Sequence, residues 1–531
     1  MTRNFEKPGR SLAVATNGMA ATSHPAATLV AVETLQRGGN AIDAAVAAAA
    51  VQGVVEAGST GIGGDCFCML SQQGSTDVIA YNGSGRTPTA ARFETFSAMG
   101  IAKIPAQSPH AVTIPGAIEA WARLVRDHGR LDLGDILRPA VRIAREGYAI
   151  APRVAYDLMN NTAHIAANER ALTTFLDNGK PLPVGAIHSQ PQLAHTLEAV
   201  GENGPDAFYT GAIAEDMVAS LQSLGGLHTL ADFAAAKGEY VTPISTNFHG
   251  RTVYECPPNG QGVIALMIMN ILSRFKIKDG PLDIDNLYIE LEATRLAYAA
   301  RDQFLADNPD DSVPTGYLLS DALAGKLAAR INMAKVIDPL PVLDEVEHKD
   351  TVYISVVDKD RNAVSLINSI FGAYGSGIVS RRSGVLFHNR GSSFSLTAGH
   401  PNAIAPNKRP MHTIIPGMIA EDGRVMMSFG VMGGHYQAMG HAHFMSKLFN
   451  HGMDIQSAMD LPRLFPLPGT TTVECEEAIL SSVGPDLMRR GYTVIPAARP
   501  IGGAQAVQIN WKQNSLIGAS DFRKDGMALG Y

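Results

Sequence analysis

Residues 348–379 read "HKDTVYISVVDKDRNAVSLINSIFGAYGSGIV". Two runs rich in β-branched residues, "VYISVVD" and "AVSLINSI", flank the polar turn "DKDRN", and this pattern predicts an antiparallel hairpin. Asp350-Thr351 stands at the entry to the first strand. A threonine there needs no special explanation by residue type, since β-branched side chains suit strands.

On either side the texture differs. Small apolar residues from 26 to 57 predict two helices separated at "RGGN", and "CFCML" and "DVIAYNGSG" follow as short strands. From Pro115 to about Arg330 helical patterns prevail. Residues 306–350 are richer in Asp and Pro, and their later part predicts an exposed connector. After Thr351 short strand candidates dominate, among them "GVLFHN", "GMIAED", "RVMMSFG", "TVIP" and "AVQINW", with helices near 436–451 and 480–490. Taken together this is an α+β pattern.

Length and composition narrow the function classes. At 531 residues the chain exceeds the usual single core, so it is either about three units or one large body. Hydrophobic residues at 46% and charged residues at 18% describe a chain that buries a large core. A net charge of −7 gives no broad attraction to phosphate backbones or anionic lipid, so neither nucleic acid nor membrane is an expected partner. The most apolar run, "AIDAAVAAAAVQGVVEA" at 41–57, is shorter than a membrane span and reads as a buried helix. The first 27 residues lack a sustained apolar stretch ahead of a cleavage site, and the four scattered cysteines form no disulfide framework. Both features lead to the expectation of a cytoplasmic protein.

Two motif-like stretches carry no cofactor. His435, His441 and His443 in "GGHYQAMGHAHF" have no carboxylate or thiolate close by in sequence, and in a helix the last two point about 200° apart. "GIGGDCF" at 61–67 lacks the order of a dinucleotide loop. Neither a metal nor a cofactor is expected.

Several separate stretches, in order, resemble the γ-glutamyltranspeptidase family of N-terminal-nucleophile hydrolases. They are "GGNAIDAAVAAAA" at 38–50 with "GIGGDCF", "TIPGAIEAW" at 113–121, "LRPAVRIAREGY" at 137–148 and "ECPPNGQGVIALMIMNIL" at 255–272. "DTVYISVVDKDRNAVS" at 350–365, "KRPMHTIIPGMI" at 408–419, "GVMGGH" at 430–435 and "GASDFRKDGMALGY" at 518–531 complete the set. The resemblance implies a four-layer αββα sandwich and a precursor that cuts itself between Asp350 and Thr351. The products would be an N-terminal fragment, 1–350, and a C-terminal fragment, 351–531, held as a heterodimer in one intertwined body, itself able to pair as a dimer.

The chemistry behind that implication is simple. A free α-amino group has a pKa of about 7.7–8.0, so on an N-terminal threonine it can take the proton of its own hydroxyl. The resemblance makes Thr351 the nucleophile, Ser369 its hydroxyl partner, and Gly433 and Gly434 the backbone donors of an oxyanion hole. No cofactor is implied.

The resemblance breaks where substrate is held. The family's substrate-gripping arginine falls at Ser84, with Arg86 two residues on, and its ammonium-binding aspartate falls at Ser393. Its two serines become His412 and Thr413. Arg86 and Arg390, with Asn389 beside the latter, remain as candidate anchors for a carboxylate. The expected substrate is therefore a small carboxylate-bearing amide, such as oxamate or a glutaryl-type amide, without an α-ammonium. The alternatives are γ-glutamyl transfer or glutathione hydrolysis, and an uncut relative that only binds.

Overall fold

The strands Val352–Val357 and Ala363–Ser369 pair antiparallel, Val352 opposite Asn368 and Val357 opposite Ala363, as the opening stretch predicts. A computed structural model gives the protein's coordinates and describes residues 9–310, 312–340 and 351–531. Asp358 organises the turn: its Oδ1 accepts from Asp360 N at 2.9 Å and Asn362 N at 3.0 Å. Its Oδ2 accepts from Ala41 N at 3.1 Å, at the start of the helix Ala41–Val55. One carboxylate thus closes the hairpin and satisfies a helix N–H that has no intrahelical partner.

That hairpin is central in a seven-stranded sheet ordered Met527–Gly530, Met19–Thr22, Val352–Val357, Ala363–Ser369, Asp65–Ser71, Ile79–Gly83 and Glu239–Val241. A second seven-stranded sheet runs Ala13–Ala15, Ser515–Ser520, Gly503–Asn510, Arg424–Met432, Gly417–Glu421, Arg251–Glu255 and Ile244–Phe248. Each sheet mixes strands from both sides of residue 350. A cut there separates the chain without separating either sheet.

Alternation along the strands sorts their side chains between two faces. Phe67, Met69, Tyr353 and Ile367 of the first sheet share an apolar cluster with Met418, Met432 and Val507 of the second. On the other face of the first sheet, Cys66, Cys68, Ile354 and Leu366 pack with Val46, Val51 and Trp121 from helices. Beyond the second sheet, Ile419, Phe429 and Ala506 pack with Leu266, Leu291 and Met445 from helices. The 15-residue helix Ala41–Val55 is buried on every side, and its Asn40–Asp43 capping box fixes where it starts. Among the described residues no helix is long and apolar enough to cross a membrane.

Two expectations need correction. The region read as helical from Pro115 to Arg330 also holds the strands Glu239–Val241, Ile244–Phe248 and Arg251–Glu255. The middle one alternates half-buried and exposed residues as a sheet edge, so it lacks a strong apolar signal. "GVLFHN" makes only two isolated bridges, Leu386 to Val379 and Phe387 to Gly63. The helices Thr315–Leu318 and Asp321–Ala328, with buried Val313, Leu318 and Ala324, stand ahead of the expected connector. Residues 341–350, including Asp350 of the expected cut, lie outside the described residues.

Candidate active site

Sheet register builds the first half of the site. Val352 pairs with Asn368, so Thr351 falls opposite Ser369, and Ser369 in turn pairs with Asp65. Three polar residues form one row across three strands, all essentially buried. Thr351 Oγ1 lies 3.2 Å from Ser369 Oγ. Ser369 Oγ also accepts from Phe371 N at 2.9 Å, which leaves the serine proton free to point at Thr351. Gly64 lets the chain pass beside this row, because a Cβ there would sit 2.3 Å from the Ser369 carbonyl oxygen. The "GIGG" stretch is thus a close backbone approach.

The second half comes from the end of the strand Arg424–Met432 and the helix Tyr436–Phe449. Between them Gly433 and Gly434 have φ of 120° and 56°, conformations that glycine adopts without strain. Their amide N–H groups have no acceptor among the described residues. Gln261 holds this corner, donating through Nε2 to Gly434 O at 3.0 Å and to Thr413 O at 2.9 Å. Gln437, in the first helical turn, reaches Thr351 Oγ1 at 3.5 Å.

Arg390 closes the circuit. Its guanidinium is fully buried, lies 3.8 Å above the Phe371 ring and donates through Nη1 to Thr413 Oγ1 at 2.7 Å. Nε and Nη2 have no acceptor among the described residues. Burial pulls its pKa down to about 9, against the opposing pull of Asp65. Burial would raise the Asp65 carboxyl, but His388, His412 and Arg390 around it hold it down to about 2. Burial, then Arg390, push His412 down to about 3, so its ring is neutral. Its Nδ1 accepts from Ile414 N at 3.3 Å, which puts the proton on Nε2, donating to Asp65 Oδ2 at 3.0 Å. Contacts therefore run from Thr351 through Ser369, Phe371, Arg390, Thr413, Gln261, Gly434 and Gln437 back to Thr351.

Of the sequence-derived candidates, the structure brings Thr351, Ser369, Gly434, Arg390 and Thr413 into that circuit, with Gly433 adjoining it and His412 beside it through Asp65. Asn389 flanks it and accepts Gly372 N–H at 2.8 Å. Arg86 is placed elsewhere: it is about one-third exposed and donates to Asp307 at 3.2 Å and to the Asn407 carbonyl at 3.0 Å. Ser84 hydrogen-bonds Asn82 and Asn259, and Ser393 donates to the carbonyls of Arg390 and Met411. His441 and His443 pair separately with Glu255 and Glu290. Sequence reasoning missed Asp65, Gln261, Phe371, His388 and Gln437. Asp65 and Gln437 each lie within three residues of a noted glycine pair, the one signal available.

Gly433→Ala is expected to lower turnover about a hundredfold, the scale of losing one oxyanion donor. A Cβ there meets Gly502 Cα at 2.9 Å in a backbone region that side chains avoid, so the N–H must move. Steady-state kinetics check this; kcat within threefold of wild type contradicts it.

Comparison with known proteins gives the family. The family described as Gamma-glutamyltranspeptidase matches residues 27–531. The "Glutathione hydrolase-like YwrD proenzyme" of Bacillus subtilis (strain 168) is 32% identical over 530 residues, covering 97% of this chain and 99% of the relative. The "Oxamate amidohydrolase proenzyme" of Klebsiella pneumoniae is 32% identical over 534 residues, covering 98% and 99%. Among solved structures, cephalosporin acylase from Bacillus halodurans superposes with a TM-score of 0.93 at 33% identity, over 100% of this chain and 99% of that one.

Proposed function

The chain belongs to the γ-glutamyltranspeptidase family of hydrolases and acylases, and from that premise we propose that it is a self-cutting amidohydrolase for small carboxylate-bearing amides, with Thr351 as nucleophile. The two facing sheets and the helices packed outside each support a four-layer αββα sandwich. Arg390 carries the substrate reading: a fully buried guanidinium with two unengaged nitrogens, reached from Thr351 through Ser369 and Phe371. Asp65 acts on this cation only at a distance, with no hydrogen bond between them, and a substrate carboxylate would engage the open N–H groups directly as paired donors.

Turnover on this reading uses only the chain's own groups. The Thr351 hydroxyl proton passes to the Thr351 α-amine, and Oγ attacks the amide carbonyl carbon. The resulting oxyanion is held by the Gly433 and Gly434 N–H groups. The C–N bond breaks, the leaving nitrogen takes the proton from the ammonium, and an ester remains on Oγ. Water, deprotonated by the same amine, cleaves the ester and restores the threonine.

Relatives named for glutathione-type and for oxamate hydrolysis stand at the same 32% identity, so the pocket decides between those substrates. The family's ammonium-binding aspartate is replaced by Ser393, whose hydroxyl is already spent on backbone carbonyls. At that position Ser393 offers an α-ammonium no carboxylate. Competing hydrolysis of oxamate, the monoamides of longer dicarboxylic acids and γ-glutamyl anilide tests this, with the highest kcat/KM expected for an acid that lacks the α-amine. Fastest turnover of the γ-glutamyl compound overturns the substrate reading.

A further inference from the structure

Gln437 is fully buried, and its amide is oriented from one end. Ile415 N donates to its Oε1 at 3.2 Å, which leaves Nε2 as the end facing Thr351 Oγ1 at 3.5 Å. Its own backbone N–H donates to Gly434 O at 3.2 Å, so the residue is tied to the glycine pair. We propose that Gln437 is a catalytic hydrogen-bond donor to Thr351 Oγ, in self-cutting and in turnover; this rests on Thr351 being the nucleophile.

Lone pairs set the hydrogen bonding at Thr351 Oγ. A threonine oxygen carries two; Gln437 approaches it as a donor, and Ser369, whose oxygen already receives the Phe371 N–H, has its own proton free to donate as the second. The hydroxyl proton of Thr351 is then directed away from both. Donors to the charged form favour that form, so the pair makes the oxygen easier to deprotonate. An amide nitrogen is not basic and cannot take the proton itself, so Gln437 acts by donation alone. The bond is long in the resting site, as catalytic hydrogen bonds often are before charge develops.

The uncut chain depends on these donors most. Before cutting, the Thr351 nitrogen is a peptide nitrogen and offers no free base. Oγ attacks the Asp350 carbonyl carbon, the peptide C–N bond breaks, and the hydroxyl proton ends on the freed Thr351 nitrogen. Water then hydrolyses the ester, giving the Asp350 carboxylate and restoring the hydroxyl. Charge on Oγ during the attack falls to Ser369 O–H and Gln437 N–H.

The test is the rate of self-cutting of the full chain, read as loss of the 56.3 kDa band, with oxamate hydrolysis measured on cut protein. Gln437→Met is expected to slow cutting, and kcat without KM, about tenfold, the scale of one neutral hydrogen bond, with a lowered melting temperature because the Ile415 N–H loses its acceptor. Gln437→Glu keeps the acceptor for Ile415 N–H and donates only when protonated, so its cutting rate relative to wild type should fall as pH rises. A Met variant within twofold of wild type, or a Glu variant whose ratio is flat with pH, overturns the donor role. Thr351→Ala run alongside separates the two readings: if it is still cut the nucleophile assignment falls, and if it is uncut while the Gln437 variants are normal only the donor role falls.

Discussion

Thr351→Ala will leave a single uncut chain of 56.3 kDa with no measurable amidase activity. Removing the hydroxyl removes the nucleophile for both reactions, and losing such a group costs on the order of a millionfold in kcat. The substitution is mild for the fold, because Thr351 precedes its strand and, among the described residues, its hydroxyl meets only Ser369 and Gln437. The alanine variant should therefore melt close to wild type, which separates lost chemistry from lost structure. A cut or active alanine variant contradicts the assignment.

Arg390→Met should lower kcat/KM for carboxylate-bearing amides by roughly 10²–10³-fold while leaving self-cutting intact. Truncating one partner of a buried charge pair costs about 2–5 kcal/mol, and each 1.4 kcal/mol is about tenfold. Methionine keeps the length and apolar contact over Phe371 but loses the N–H groups. The scissile peptide needs no carboxylate anchor, so the fragments should still form at the wild-type rate. Kinetics on the cut protein with oxamate and its neutral diamide check this. An equal loss for acid and diamide would mean that Arg390 serves the fold rather than the substrate.

How much of this was legible in the sequence depends on the kind of signal each part leaves. The hairpin at 352–369 has two runs rich in β-branched residues around a polar turn, so its pairing was accessible, whereas Ser369 as partner of Thr351 came from the family resemblance alone. The strands Ala13–Ala15 and Met19–Thr22 were not, since alanine is depleted in strands and only the neighbouring chains make them so. Within the site, residue type allowed Arg86 and Arg390 equally as anchors. Their separation rests on Phe371, a non-glycine residue at φ 73° whose ring lies under Arg390. No sequence pattern announces that conformation, and a long-range contact with Asp307 is what engages Arg86. Gln261 and Gln437 were invisible for a related reason: a glutamine becomes a fixed donor only when the fold brings an acceptor and a donor to its two ends.

N-terminal sequencing of the purified protein tests the central claim most directly. The account predicts two fragments, the smaller beginning Thr351-Val352-Tyr353-Ile354. A chain that stays whole while hydrolysing amides, or one cut at any other bond, would contradict it.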